Sequence, residues 1–368
     1  MKKNRFIYIF LILIFLLPAS IGAIDIGFVV NEYFAYDNFK GFEFRAGLVP
    51  RLSFIFGDHS SFFMSAGFDV GKKDGEYYYS EYLELLRTEF STLYGPWGIR
   101  AGRINYSDPL SFSASGLFNG IHLTHTSSQG RTGIGIWHAG QQQILSAVEW
   151  EHPAVLDLFS LKAAYTGNMT NPFSSPNDAF NSHFFTLKAG LPISSFIIEL
   201  GAVHEWTETL IQNDAPVYSQ ALAAELGFYW TVPTPFTSRL SFIVRTAIGP
   251  FVPVSPKTYG EIFTANLSGI TIVTADYTAR FLRQLGAGVT LSYFIRNDLQ
   301  TPNSFTISAP GNNGYLLGGE ITSRVVWSPF SDLQFILGGG AFFPAMGNNW
   351  PNVNPLWRIN LTLIFAIL

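Results

Sequence analysis

The chain contains no cysteine, which excludes both a disulfide framework and a thiolate metal site. It is also poor in charge: Asp, Glu, Lys and Arg make up 13% of it, against roughly a quarter in ordinary soluble proteins. It has no basic excess, since the formal net charge is -4, so nothing in it suggests nucleic acid as a partner. Beyond Leu17 no apolar run approaches the ~20 residues a membrane helix requires. Yet the chain is greasy, with 48% hydrophobic residues, 16% aromatics and 35 Phe among its 368 residues. Apolar composition without apolar runs is what alternation produces, and alternation at this hydrophobicity indicates strands with one face in lipid.

The first residues read as a leader. Lys2, Lys3 and Arg5 precede an apolar run from Phe6 to Leu17, and Pro18, Ala19, Ser20, Ile21, Gly22 and Ala23 supply small residues for cleavage. That is the plan of a secretory signal peptide over residues 1–23, an uncleaved anchor helix being the alternative. Its removal takes three positive charges and leaves -7, from 19 basic against 26 acidic residues. An exported chain of this size without disulfides has to be held by its core or by the bilayer. No repeat or linker divides residues 24–368, which therefore form one domain.

The final stretch, Leu356 to Leu368, shows the alternation well. Trp357, Ile359, Leu361, Leu363, Phe365 and Ile367 fall on one face of a strand and Arg358, Asn360 and Thr362 on the other. A long greasy edge invites aggregation unless it is paired, and in lipid only a closed barrel satisfies every backbone group. Pairing with the first strand closes the sheet. Similar runs place Phe62, Met64, Ala66, Phe68 and Val70 outward, then Phe159, Leu161, Ala163 and Tyr165, then Leu222 to Trp230. Further on come Leu240, Phe242, Val244 and Ile248, then Leu285 to Ile295, then Leu317, Ile321, Val325 and Trp327.

Short turns at Gly57–Ser60, Ser127–Arg131, Leu191–Ser194, Val232–Thr237 and Ser328–Asp332 alternate with long polar connections. The long ones are Asn168–Asn181, Ile211–Val217, Pro250–Leu267, Asn297–Gly314 and Met346–Pro355, expected outside the cell. Trp97, Trp230 and Trp327 stand beside short turns, and Trp206, Trp350 and Trp357 beside long ones, as in two interfacial girdles. The expected fold is thus an all-β transmembrane antiparallel barrel of about 16–18 strands. The tally is 18, and it falls to 16 if the weak strands Ile144–Trp150 and Ile270–Tyr277 are dropped.

The closing strand resembles the C-terminal strand that outer-membrane proteins of diderm bacteria present to the barrel-assembly machinery, although it does not end on an outward aromatic. The stretch Ile99–Gly120 runs from a strand ending in Gly-Arg through Ser107, Asp108 and Pro109 to Leu117-Phe118-Asn119-Gly120. It resembles porin-type outer-membrane barrels. The resemblance implies that Ser107–Gly116 folds inward and narrows a pore; Asp108-Pro109 is equally a good turn opener on its own chemistry.

Inward parity assigns Lys162, Lys188, Glu199, Glu225, Arg239, Arg245, Arg296, Glu320, Arg324 and Arg358 to a wetted lumen, with Arg103 joining them on ambiguous parity. A basic side chain on the lipid face near the midplane would cost ~2–4 kcal/mol. From Ile24 to Ser238 there are 11 basic and 21 acidic residues, and from Arg239 onward 8 and 5. Opposite walls then carry opposite signs; an internal ion-pair network bracing the strands is the competing account.

Catalysis finds no support. His122 and His125 lie three apart, on opposite faces of a strand. The other histidines have no ligand pattern, so each is best read as an isolated surface residue. The expectation is an outer-membrane porin-like channel for passive diffusion of small hydrophilic solutes, without cofactor. Its partners are outer-membrane lipid, the assembly machinery and the solutes, with a homotrimer as an open possibility. The alternatives are a fatty-acid-type transport barrel and a surface-exposed adhesin or structural barrel without an open pore.

Overall fold

The computed structural model describes residues 21–73, 75–80, 84–140, 143–156, 158–170, 179–210, 215–234, 236–301, 305, 314–347 and 354–367. Met1 to Ser20, which hold most of the leader, lie outside them, as do Trp350 and Leu368. The first strand begins at Ile21, so Ile21–Ala23, assigned to the leader by their small residues, here extend the barrel's first strand.

The described residues form one antiparallel sheet of 19 strands. In chain order these are β1 (Ile21–Asp37), β2 (Gly41–Phe56), β3 (Ser60–Lys73), β4 (Glu76–Tyr79), β5 (Glu84–Tyr94) and β6 (Trp97–Ser107). Next come β7 (Ser115–Ser127), β8 (Gly130–His138), β9 (Gln143–Val155), β10 (Phe159–Thr170), β11 (Ala179–Ile193) and β12 (Phe196–Leu210). The rest are β13 (Val217–Pro233), β14 (Thr237–Ile248), β15 (Ile270–Leu282), β16 (Leu285–Arg296), β17 (Leu316–Trp327), β18 (Leu333–Phe343) and β19 (Leu356–Ile367).

β4 pairs with the upper part of β3 and β5 with the lower part, so the two share one stave and the barrel has 18. The two weak segments are full strands, β9 and β15. β19 pairs with β1 from Phe28↔Ile367 to Asp37↔Arg358, which closes the barrel and leaves no long edge. Every connection at the end where β1 begins and β19 stops has two to five residues, and all the long ones lie at the other end, beside the short β1–β2 and β8–β9 connections.

The outer surface carries the alternation. Ile26, Phe185, Leu200, Leu222, Phe242, Ile248, Leu291 and Ile359 are exposed. Aromatic groups ring both ends. At the long-loop end Tyr165, His183, Trp206 and Tyr218 stack at 5.5–6.1 Å, and Tyr36 meets Trp357 at 5.6 Å. At the short-turn end lie Trp97 with His125, Phe196 with Trp230, and Trp327 with Phe335. On β13 the two girdles are twelve residues apart, Tyr218 to Trp230. That is about 40 Å of strand, or ~28 Å of height at a ~45° tilt. An apolar belt of that height marks a membrane-spanning barrel.

One outward assignment is corrected. The β16–β17 ladder passes from Ile295↔Leu316 to Phe294↔Gly318 and skips Leu317. This bulge, at a glycine with φ +138°, turns Leu317 inward, where it is fully buried.

The core lies inside the barrel. One cluster joins Phe184, Val203, Ala223, Ala247, Ile272, Phe294, Leu317 and Phe342 of the wall to residues from two inter-strand loops. A second joins Ile104, Tyr106, Phe118, Trp137, Leu145 and Ala147 on β6–β9.

Candidate functional site

The first of those loops is residues 108–114, between β6 and β7. The Asp108 carboxylate accepts the backbone N–H of Leu110, Ser113 and Ala114 and the Ser113 hydroxyl, each at 2.9 Å, and is itself buried. Pro109 fixes the backbone beside it. Ser107 bonds Ser111 through their hydroxyls at 2.6 Å. The turn chemistry of Asp108-Pro109 therefore shapes the inward loop, and the two readings of the dipeptide describe one structure. Leu110 and Phe112 are carried into the lumen until Leu110 rests on β12. A Cβ on Gly201 would lie 2.3 Å from a Leu110 methyl, so a side chain there would displace Leu110 from its place on the wall.

The second loop, residues 249–269 between β14 and β15, was expected as a polar external connection and instead folds into the barrel. Val252 donates its N–H to buried Glu205 on β12 at 2.9 Å. Val254 and Ser255 donate to the Ser113 carbonyl at 2.7 and 3.4 Å, tying the two loops together. Glu261, Ile262 and Phe263 donate three backbone N–H groups to Glu320 on β17 at 2.9, 3.0 and 2.8 Å. Phe263 stacks on Phe342 at 4.4 Å and meets Phe294 edge-on at 5.0 Å. Val254 packs against both apolar clusters and so joins the two sides of the lumen. A signal was present in the sequence: Phe251, Val252, Val254, Tyr259, Ile262 and Phe263 are too many apolar side chains for a wetted loop.

Of the eleven charges assigned to the lumen, six sit in ion pairs between strands, three of the pairs on neighbouring strands and Arg358–Glu43 reaching across β1. Lys162 meets Glu151 at 2.6 Å, Lys188 meets Glu199 at 2.9 Å, Arg245 meets Glu225 at 2.7 Å and Arg358 meets Glu43 at 2.6 Å. Arg45 with Asp69, and Arg87 and Arg100 with Glu89, extend this bracing. Glu320 is committed to the loop. Arg239, Arg296 and Arg324 have no carboxylate partner among the described residues. Arg239 lies over the Tyr229 ring and Arg296 over Phe305.

Arg239 and Arg324 join Arg280 and Arg283 around a cavity of about 520 Å³ toward the short-turn end, with no acidic residue in its lining. A second cavity of about 400 Å³ below the first loop mixes Arg100, Arg131 and Lys162 with Asp108, Glu149 and Glu151. On the second loop, burial holds the Lys257 ammonium below its ordinary range, and nearby Arg245 adds to the effect.

Two assignments change. Arg103 shares parity with Trp97 and Ile99, which are exposed, and pairs with Asn119 between exposed Leu117 and Ile121. It stands on the outer face, its guanidinium donating to the Leu85 carbonyl at 2.8 Å; Arg100 is the inward arginine of that strand. His122 is not a surface residue. It is buried on β7, its Nε2 3.1 Å from Glu149, with Trp137 packed on its ring. His125 is half-buried on the opposite face, against Trp97.

No family model matches the sequence, and no curated protein matches it. Solved structures do match its fold. OprD from Pseudomonas aeruginosa aligns at a TM-score of 0.61 and 11% identity, covering 95% of this chain and 96% of that one. OccK5 (OpdH) of the same organism aligns at 0.60 and 9%, covering 95% and 99%. OccD3 (OpdP) aligns at 0.62 and 11%, covering 95% and 92%. The chain has the fold of these proteins, a closed antiparallel β-barrel, here of 18 staves.

Proposed function

We propose that the protein is an outer-membrane channel through which small hydrophilic solutes diffuse passively. In this reading it is exported by its leader, inserted through its closing strand, and carries out no chemistry. The observation that carries the proposal is the interior itself. A barrel of this strand number encloses an aqueous lumen unless something fills it. Here the wall presents ionised side chains, and two loops of the same chain narrow the passage at the long-loop end. Solved barrels of this shape include the outer membrane protein OprD, and that likeness supports the reading.

The wall from β14 to β17 adds a preference. Among the described residues its arginines Arg239, Arg280, Arg283 and Arg324 meet no carboxylate, whereas the acidic side chains elsewhere are largely spent on ion pairs. The lumen then favours anions. Reversal potentials across a planar bilayer under a salt gradient test this: anion preference is expected for the native protein. Changing Arg239 and Arg324 together to Glu shifts the preference toward cations. Equal permeability of both ions in the native protein contradicts it.

The junction of the apolar clusters at Val254 favours one other reading, a barrel sealed by its own loops that works through its outer surface. A steady current from the native protein excludes that reading.

A further inference from the structure

Glu205 on β12 is fully buried, and only one of its carboxylate oxygens is used, by the Val252 N–H at 2.9 Å. Its Oε1 has no hydrogen-bond partner among the described residues. Neither do Ser182 Oγ and Thr186 Oγ1 on β11 or Asn168 Oδ1 on β10, and these three residues are buried as well. All four lie on the inward face of three consecutive strands. Buried side-chain oxygens are ordinarily paired, and those that are not call for a bound water or ion.

The ladder brings them together. Ser182 stands directly opposite Asn168 on one side and Thr207 on the other, and Glu205 is one diagonal position from Ser182. Directly opposed side chains start about 5 Å apart and diagonal ones about 7–8 Å. Asn168, Ser182 and Glu205 therefore share a patch about 12 Å across. The row of Glu205 itself is apolar: Phe184 faces it on β11 and Ala221 on β13, and Phe251 of the second loop meets Phe184 at 6.1 Å. No described cation pairs with it. Lys188 and Arg245 stand level with Gly201, four residues or about 13 Å nearer the short-turn end, and are held by Glu199 and Glu225.

Glu320 is also buried, but three backbone N–H groups solvate it; Glu205 has one. Water would satisfy the hydroxyls of Ser182 and Thr186 without neutralising the carboxylate, and a buried charge has to be paired, neutralised or bound to a metal. We infer that Glu205, Ser182 and Asn168 hold a calcium ion where the 249–269 loop meets the wall. The donors are all oxygen, which gives no hold to metals that seek thiolate or imidazole. The neighbouring imidazole, His183, alternates with Ser182 onto the outer face and bonds Tyr165. Oxygens drawn from three strands suit the six to eight loosely arranged ligands of calcium, water filling the remaining places, better than the rigid octahedron of magnesium. A single carboxylate sets the affinity low, in the ~0.1–1 mM range of extracellular calcium modules. Because Glu205 also takes the Val252 N–H, the ion anchors the start of the loop and steadies the constriction. The inference rests on burial and donor chemistry, and on nothing about what passes through the lumen.

The test uses the native full-length protein, folded in detergent and stripped with a chelator. Calorimetric titration with calcium chloride is expected to show one ion bound per chain. At about 10 mM calcium the folded barrel should be favoured roughly ten- to a hundredfold, read as a higher unfolding temperature on heat-modifiable gels. Magnesium at the same concentration should give a much smaller rise. Glu205→Gln keeps the side-chain shape and an acceptor for Val252 but should lose both the ion and the calcium-dependent rise, and Ser182→Ala should bind about tenfold more weakly. Migration of unheated samples verifies that both variants are folded. Single-channel current of the native protein should be noisier in chelator than in calcium, and that of Glu205→Gln should not respond. Absence of calcium uptake by folded native protein overturns the site. Uptake that survives in Glu205→Gln is an adventitious ion only and overturns it too, as does native stability that follows pH but not calcium, the mark of a carboxyl carrying a proton instead. A protein that conducts ions but takes up no calcium loses this site and keeps the channel proposal.

Discussion

Glu320 shows how one side chain sets the shape of a passage. It receives three backbone N–H groups from the 249–269 loop while buried on β17. Replacing it by Ala removes the two carboxylate oxygens that accept all three bonds and strands the donors, at about 2–4 kcal/mol against the docked loop. The expected outcome is a higher and noisier single-channel conductance with barrel stability in detergent unchanged; unchanged conductance contradicts the role. Gly201 makes the same point by absence. Gly201→Val pushes Leu110 off the wall, so the 108–114 loop loosens, and solute flux into liposomes should rise while folding yield holds. Residue facing was legible in the sequence wherever alternation was unbroken, as at Lys162, Glu225 and Arg358. Their partners were not, because a partner stands on another strand and register does not show in one sequence. Leu317 was misread because a bulge shifts parity by one.

At the scale of elements, strands and turns were legible and the 249–269 loop was not. Every short turn read from the sequence lies at one end of the barrel, because period-two patterns and their Gly/Pro breaks are local signals. The 249–269 loop gives no periodic signal, and its inward path depends on Glu205 and Glu320, which are distant in sequence. Replacing residues 252–266 by a short Gly-Ser linker should raise conductance roughly twofold or more, since lumen area is what the loop occupies. No change would show that the loop does not limit passage. The same element predicts a pH effect. Lys257 loses its proton at lower pH than a free lysine does, so a positive charge leaves the constriction as pH rises toward the ordinary lysine range. Anion preference should weaken in that window, and the weakening should vanish in Lys257→Met, whose preference is already reduced. A native selectivity independent of pH there contradicts the placement of Lys257 beside the solute path.

For the whole molecule, closure is the property on which everything else depends. It follows from β19 pairing with β1 over ten residues, and the greasy final strand announced it because an unpaired edge of that kind does not survive in water or lipid. What the sequence could not announce is how much of the lumen the chain fills with itself, since interior apolar residues on the loops look like any others. The decisive measurement is therefore the ion current of the purified native protein in a planar bilayer, recorded beside the variant lacking residues 252–266. A water-filled barrel narrowed by its own loops predicts steady, ohmic steps from the native protein and larger ones from the variant. Silence from both, with each protein shown to be folded and inserted, would contradict it.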